Sequence, residues 1–159
     1  MTGVLFESIV LGWIVIGFVV FIVLLFVTAP YGRHSKSGWG LMIPNRVGWI
    51  LMEIPSLLVF SYFFLFREGR IEPVTWIFFG LYAAHYINRS LIYPFRIRTS
   101  GKKMPMIIAV FAIFFNLVNG SLNGLYFSRF SPEYGPDWFM DIRFILGLLL
   151  FIGGAVINL

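Results

Sequence analysis

Residues 49–60 read WILMEIPSLLVF. Eleven of the twelve tolerate an apolar solvent. The twelfth, Glu53, does not, and Pro55 follows two positions later. Taken with its neighbours, this run is long and apolar enough to read as a helix that crosses a membrane. A carboxylate inside such a helix is costly and points to function by default.

The rest of the chain agrees. It has 159 residues, of which 59% are apolar and only 12% charged. Its mean hydropathy is +0.88. That balance fits a bilayer as solvent better than water. There are no cysteines, which excludes disulfides and thiolate–metal chemistry. Two histidines alone suggest no metal site. The net charge of +5 is read as loop charge that sets membrane orientation, not as a nucleic-acid surface. The apolar run Ile9–Ala29 lacks a basic leader and is too long for a signal core, so it is expected to stay as a first span.

Spanning takes about 20 apolar residues. Five runs qualify, at roughly 4–29, 47–66, 73–95, 104–128 and 141–159. All are expected to be helical, because lipid offers backbone groups no partners. The expected fold is therefore an all-α, polytopic membrane helix bundle with five transmembrane helices. Residues 1–159 form one domain, as no linker divides them. Arg33, Lys36, Arg46, Arg96, Arg98, Lys102 and Lys103 fall on one side. Arg67, Arg70, Arg129 and Arg143 fall on the other. The excess places loops 30–46 and 96–103 in the cytoplasm and the N-terminus outside.

Three sets of polar residues lie at membrane depth. Glu53 sits about 9 Å below the cytoplasmic end of its span. Burial disfavours a charged carboxyl, so a neutral acid is expected, with a structural pair to an intramembrane arginine as the other reading. In the third span, Tyr82, Tyr86, Arg89 and Tyr93 share an arc of about 60°. Tyr86 and Arg89 lie about 9–14 Å from the same membrane face, level with Glu53. His85 points elsewhere and reads as a hydrogen-bonded core residue. In the fourth span, Asn116, Asn119 and Asn123 form a stripe with Gly120 and Gly124. Helix packing and ligand contact both account for it. Pro55 is expected either to free a carbonyl or to kink its helix. Glycine-rich phosphate loops and a serine nucleophile elbow are absent.

Several ordered strings resemble one family. PNRVGWILMEIPS (44–56) follows the pattern P-x-R-x-x-W-x-L-x-E-x-P-S of membrane steroid 5α-reductases. YGRHSKS (31–37) is similar to the segment that precedes it there. HYINRSLIY (85–93) resembles the family's H-Y-x-x-R-(S/T)-x-x-Y motif, and NGSLNG, DIRFILG and GGAVIN follow in order. The resemblance runs from about Tyr31 to Leu159. It implies a seven-helix membrane enzyme, of which this chain lacks the last two helices and the cytoplasmic segment between them. It also implies NADPH as cofactor and reduction of the Δ4 double bond of a 3-oxo steroid or similar lipid-like enone. By the same resemblance, Glu53 and Tyr86 match the pair that binds the 3-oxo group. Trp49, Tyr93 and Phe115 match steroid-pocket positions, and Asn158 matches a residue near the cofactor. Tyr31, Gly32, Arg33 and His34 match a loop that closes near the cofactor. Phe111 stands where mammalian members carry an arginine. Rival readings are a trans-2-enoyl-CoA reductase, a related membrane methyltransferase, and a non-enzymatic transporter or assembly subunit.

Overall fold

A computed structural model describes residues 1–28, 38–69, 71–98 and 101–157. Its main elements are helices. They are α1 (Gly3–Phe26), α2 (Asn45–Leu65), α3 (Pro73–Ile87), α4 (Tyr93–Arg96), α5 (Met106–Leu125) and α6 (Ile142–Ile157). A π-helical segment, Asn88–Ile92, joins α3 to α4, and another, Tyr126–Phe130, extends α5. Two three-residue strands, β1 (Met42–Pro44) and β2 (Lys103–Pro105), pair antiparallel. They tie together the starts of α2 and α5.

Helix directions follow from side-chain contacts. Phe60 of α2 stacks on Phe79 and Tyr82 of α3, and Phe64 stacks on Phe79, so α2 and α3 run antiparallel. Against α5 the register climbs in both chains: Gly120 meets Ser56 and Gly124 meets Phe63. Helices α2 and α5 are therefore parallel. Phe6 stacks on Phe130 while Trp13 meets Phe115, so α1 runs antiparallel to α5. Phe78 meets Phe144 and His85 meets Phe151, so α6 runs with α3.

The core lies between α2, α3 and α5. Phe60 and Phe64 are fully buried there. Between apolar helices in lipid, close fit rather than water exclusion holds the contact. At Gly120, an added Cβ would lie 2.9 Å from the Ser56 carbonyl oxygen and 3.2 Å from Ser56 Cα, both backbone atoms. Gly120→Ala is thus expected to push α2 from α5 and cost about 1–3 kcal/mol. Thermal unfolding in detergent checks it, and a wild-type midpoint would contradict the close fit.

Three helices are long and apolar enough to cross a membrane: Gly3–Phe26, Asn45–Leu65 and Met106–Phe130. The all-α, membrane-type reading holds; the count of five is not reached on this measure among the described residues. The third expected span is helical from 73 to 96, but its middle widens into the π segment. The fifth has 16 described helical residues. Pro55 neither ends nor splits α2, which runs unbroken through it. The strand pair was not expected; three residues are too few to show a period-2 pattern.

Asp141 caps the start of α6. Its Oδ1 accepts from the Arg143 backbone N–H at 2.8 Å, and the Arg143 guanidinium donates to both carboxylate oxygens. Those hydrogen bonds hold the Asp141 carboxyl at about 2, below its ordinary 3.8. A lowered folded-state value means that the stabilisation is complete above the unfolded value and is lost as pH falls through the folded one. The stability difference between wild type and Asp141→Asn is expected to be constant above about pH 5 and to be mostly lost by about pH 2. Melting curves across that range test it; a difference that persists at pH 2 would contradict it.

Candidate functional site

Glu53 is 7% exposed and faces α3 and α5. Its Oε1 accepts from Arg89 Nη2 at 2.6 Å, an ion pair. Its Oε2 has a longer contact, 3.4 Å, from Asn116 Nδ2. An arginine therefore stands against the buried carboxyl. The other reading, a pair with an intramembrane arginine, describes the geometry, because α3 packs antiparallel at the matching depth. Arg89 lies in the π segment, a wider turn of the kind often found at functional sites. Its guanidinium sits 4.7 Å from the ring centre of Trp49 and 5.6 Å from that of Tyr93. Trp49 and Tyr93 meet edge to face at 5.1 Å. Two of the three expected pocket aromatics thus wrap the ion pair.

Tyr86 belongs to the same cluster. Its hydroxyl donates to Asn116 Oδ1 and accepts from Asn119 Nδ2, each at 3.4 Å. Both bonds are long for strong hydrogen bonds, so the phenol is placed without being tightly engaged. Asn116 is firmly set: its Nδ2 donates to the Met52 carbonyl at 2.6 Å, which aims its Oδ1 at Tyr86. The asparagine stripe thus shows the helix-packing role expected of it. Asn116 links α5 to α2, and Asn119 reaches the phenol. Asn123 turns back to Asn119.

Two serines complete the arrangement, and neither was singled out from sequence. Ser56, fully buried, shares a 2.6 Å hydrogen bond with the Tyr82 hydroxyl. Its place three residues after Glu53, on the same face of α2, was the available signal. Ser90 donates to the Tyr86 carbonyl at 2.6 Å and so fixes the backbone next to the phenol.

Phe115 is not part of this cluster; it packs on Trp13 of α1 with ring centres 5.4 Å apart and is 48% exposed. Phe111 is also exposed. His85 borders a cavity of about 490 Å³ between α3 and α6, with Asn88, Arg89, Phe151 and Gly154 in its wall. A second cavity, about 550 Å³, opens between α1 and α5 and reaches Asn119. Glu7, in α1, lines it, an acidic residue the apolar reading of that run passed over. At the β-pair end, Arg46, Lys102 and Lys103 border a third, about 440 Å³. Asn158, Arg33 and His34, with Tyr31 and Gly32, lie outside the described residues.

Comparison with known proteins gives a consistent result. A family model described as 3-oxo-5-alpha-steroid 4-dehydrogenase matches residues 102–159. The chain is 35% identical over 144 residues to steroid 5-alpha-reductase DET2 of Arabidopsis thaliana, covering 87% of this chain and 55% of that protein. It is 35% identical over 159 residues to the protein of that name from Gossypium hirsutum, covering 97% and 61%. It is 36% identical over 132 residues to 3-oxo-5-alpha-steroid 4-dehydrogenase 1 of Homo sapiens, covering 81% and 50%. The chain thus spans about half to three-fifths of the length of these relatives.

Proposed function

Over the stretch it spans, the chain belongs to the steroid 5-alpha-reductase family, and on that premise we propose that it reduces the Δ4 double bond of 3-oxo steroids, with Glu53 and Tyr86 binding the 3-oxo group. One observation carries the proposal. A weakly engaged phenol, Tyr86, and a buried carboxyl, Glu53, both reach the side chain of Asn116 inside an apolar bundle.

NADPH is the proposed cofactor; when bound, it supplies the hydride for C5 of the enone. The described residues fit such a group. Arg46, Lys102 and Lys103 offer cations for phosphates at one end of the bundle. The cavity beside Arg89, with Asn88 in its wall, has room for a ring with polar edges. Asn158, Arg33 and His34 are the further proposed contacts.

The chain's own part is to meet charge at oxygen. As C5 gains a hydride, negative charge develops on the 3-oxygen. A donor aimed at that oxygen lowers the barrier more than it strengthens ground-state binding. Tyr86 donates a hydrogen bond from its phenol to that oxygen, and the enolate takes a proton at C4, ultimately from solvent, to give the saturated ketone. Glu53 orders the site through Arg89, and it donates directly once protonated, a change that goes with release of Arg89. Asn116 and Asn119 hold the phenol in line. Glu53→Gln keeps a hydrogen-bonding amide there and is expected to retain turnover within about tenfold of wild type. Complete loss in steady-state assays would contradict that role.

The proposal extends to the membrane. Five apolar helical stretches alternate in direction, which supports five crossings. Arg46, Arg96, Arg98, Lys102 and Lys103 gather at the β-pair end. That end is the proposed cytoplasmic one, with the N-terminus outside.

The test is turnover by purified protein with NADPH, offered a 3-oxo-Δ4 steroid or a trans-2-enoyl-CoA. Conversion of the steroid to its 5α-dihydro product is expected. Turnover of the thioester alone, or of neither, would overturn the reading.

A further inference from the structure

At the end of the bundle away from the β-pair, a polar cavity of about 300 Å³ opens beside the end of α2. Arg67, just past α2, and Arg129, in the second π segment, both line it. The parallel register of α2 and α5 brings them level. Ser128 adds a hydroxyl, and Glu68 is the one carboxylate in the wall. Two guanidiniums thus face one acid. Arg67 Nε is buried and has no hydrogen-bond partner among the described residues. A smaller cavity beside Arg67 contains Glu72 and Glu133, yet Arg67 forms no ion pair with either, nor with Glu68, among the described residues. An unsatisfied guanidinium nitrogen is costly, and it shows that Arg67, half-buried, has no committed acceptor at that nitrogen among the described residues.

The rest of the wall says what kind of partner. Tyr62 and Phe66 line the same cavity and are 60% and 77% exposed. They continue the apolar outer face of a helix long enough to cross a bilayer. The arginines therefore stand where the apolar run ends, at the level of lipid headgroups. The outward aromatics lie where acyl chains would run.

We propose that Arg67 and Arg129, with Ser128, bind the phosphate of an anionic membrane lipid at this end of the bundle, its chains lying against Tyr62 and Phe66. Paired guanidiniums suit phosphate because each presents a planar fork of donors to its oxygens. Within this cavity's own wall the two guanidiniums exceed Glu68 by one charge, Glu72 and Glu133 lying in the wall of the neighbouring one, and that local excess is what an anionic headgroup would meet.

Native mass spectrometry of the purified full chain, titrated in detergent with phosphatidylglycerol, phosphatidylcholine or inorganic phosphate, tests this. Phosphatidylglycerol is expected to bind most tightly. Arg129→Gln is expected to raise its Kd about tenfold, as loss of a charge-assisted hydrogen bond does. Arg67→Gln is expected to act in the same direction. Arg143→Gln removes a cation at the same end but outside the cavity, and its Kd is expected to match wild type. Arg129 is exposed, so its variant keeps the test open even if Arg67→Gln does not fold. Unchanged lipid affinity in Arg129→Gln would overturn the proposal. So would an equal loss in Arg143→Gln, or inorganic phosphate or phosphatidylcholine binding as tightly as phosphatidylglycerol.

Discussion

Tyr86→Phe is expected to lower turnover about 10²–10³-fold, the usual effect of removing one donor to a developing oxyanion. The substitution deletes one oxygen and leaves the ring, which packs against Tyr82 at 4.7 Å. The phenol's two hydrogen bonds are both 3.4 Å long, so their loss costs the fold little. The effect is therefore expected in kcat, with the melting temperature within a degree or two of wild type and KM nearly unchanged. Steady-state kinetics with a 3-oxo-Δ4 steroid, beside a melting curve, separate the two contributions. Wild-type kcat in this variant would remove Tyr86 from the chemistry. A large drop in melting temperature would make it a structural residue.

The second large effect concerns the Glu53–Arg89 pair. Arg89→Leu leaves a carboxyl that is 7% exposed with no partner beyond the 3.4 Å contact from Asn116. Removing one member of a buried ion pair costs about 3–5 kcal/mol, because the other charge stays buried and unpaired. Arg89 is also lost from its seat over Trp49 and Tyr93. Removing both charges is different. Glu53→Leu with Arg89→Leu fills the space with apolar atoms, and such replacements are often close to neutral for stability. The double variant is thus expected to be more stable than Arg89→Leu while remaining inactive. Unfolding of wild type, both single variants and the double variant in detergent gives the coupling. Additive losses would mean that the 2.6 Å contact contributes no stability.

The sequence was informative where helix geometry is regular. Rise per residue and span direction put Glu53, Tyr86 and Arg89 at one depth, and the structure joins Tyr86 to Glu53 through Asn116 and Arg89 to Glu53 directly. The stripe at 100° per residue put Tyr82 and Tyr86 on one arc, and the structure turns them to Ser56 of α2 and Asn116 of α5. It was less informative where regularity breaks. The π segment at Asn88–Ile92 changes the turn just where Arg89 sits, beside Pro94, which has no N–H to offer the Ser90 carbonyl. Ser90 holds the Tyr86 carbonyl, four residues back, beside that turn. Phe115 illustrates a second limit. It neighbours Asn116 in sequence, yet successive helical residues point about 100° apart, so it faces Trp13 instead. The partner of Glu53 was a third: a pair with an intramembrane arginine was one of two readings, and the packing of α3 on α2 brings Arg89, 36 positions away, to it.

The central claim is that Tyr86 and Glu53 grip the oxygen of a conjugated ketone. The ultraviolet absorption of a 3-oxo-Δ4 steroid reports this directly, because hydrogen bonds to the oxygen move the enone band to longer wavelength. Steroid bound to wild-type protein is expected to show that red shift, and steroid bound to Tyr86→Phe to lose most of it. A bound steroid whose band is unshifted in wild type, or equally shifted in both proteins, would contradict the account.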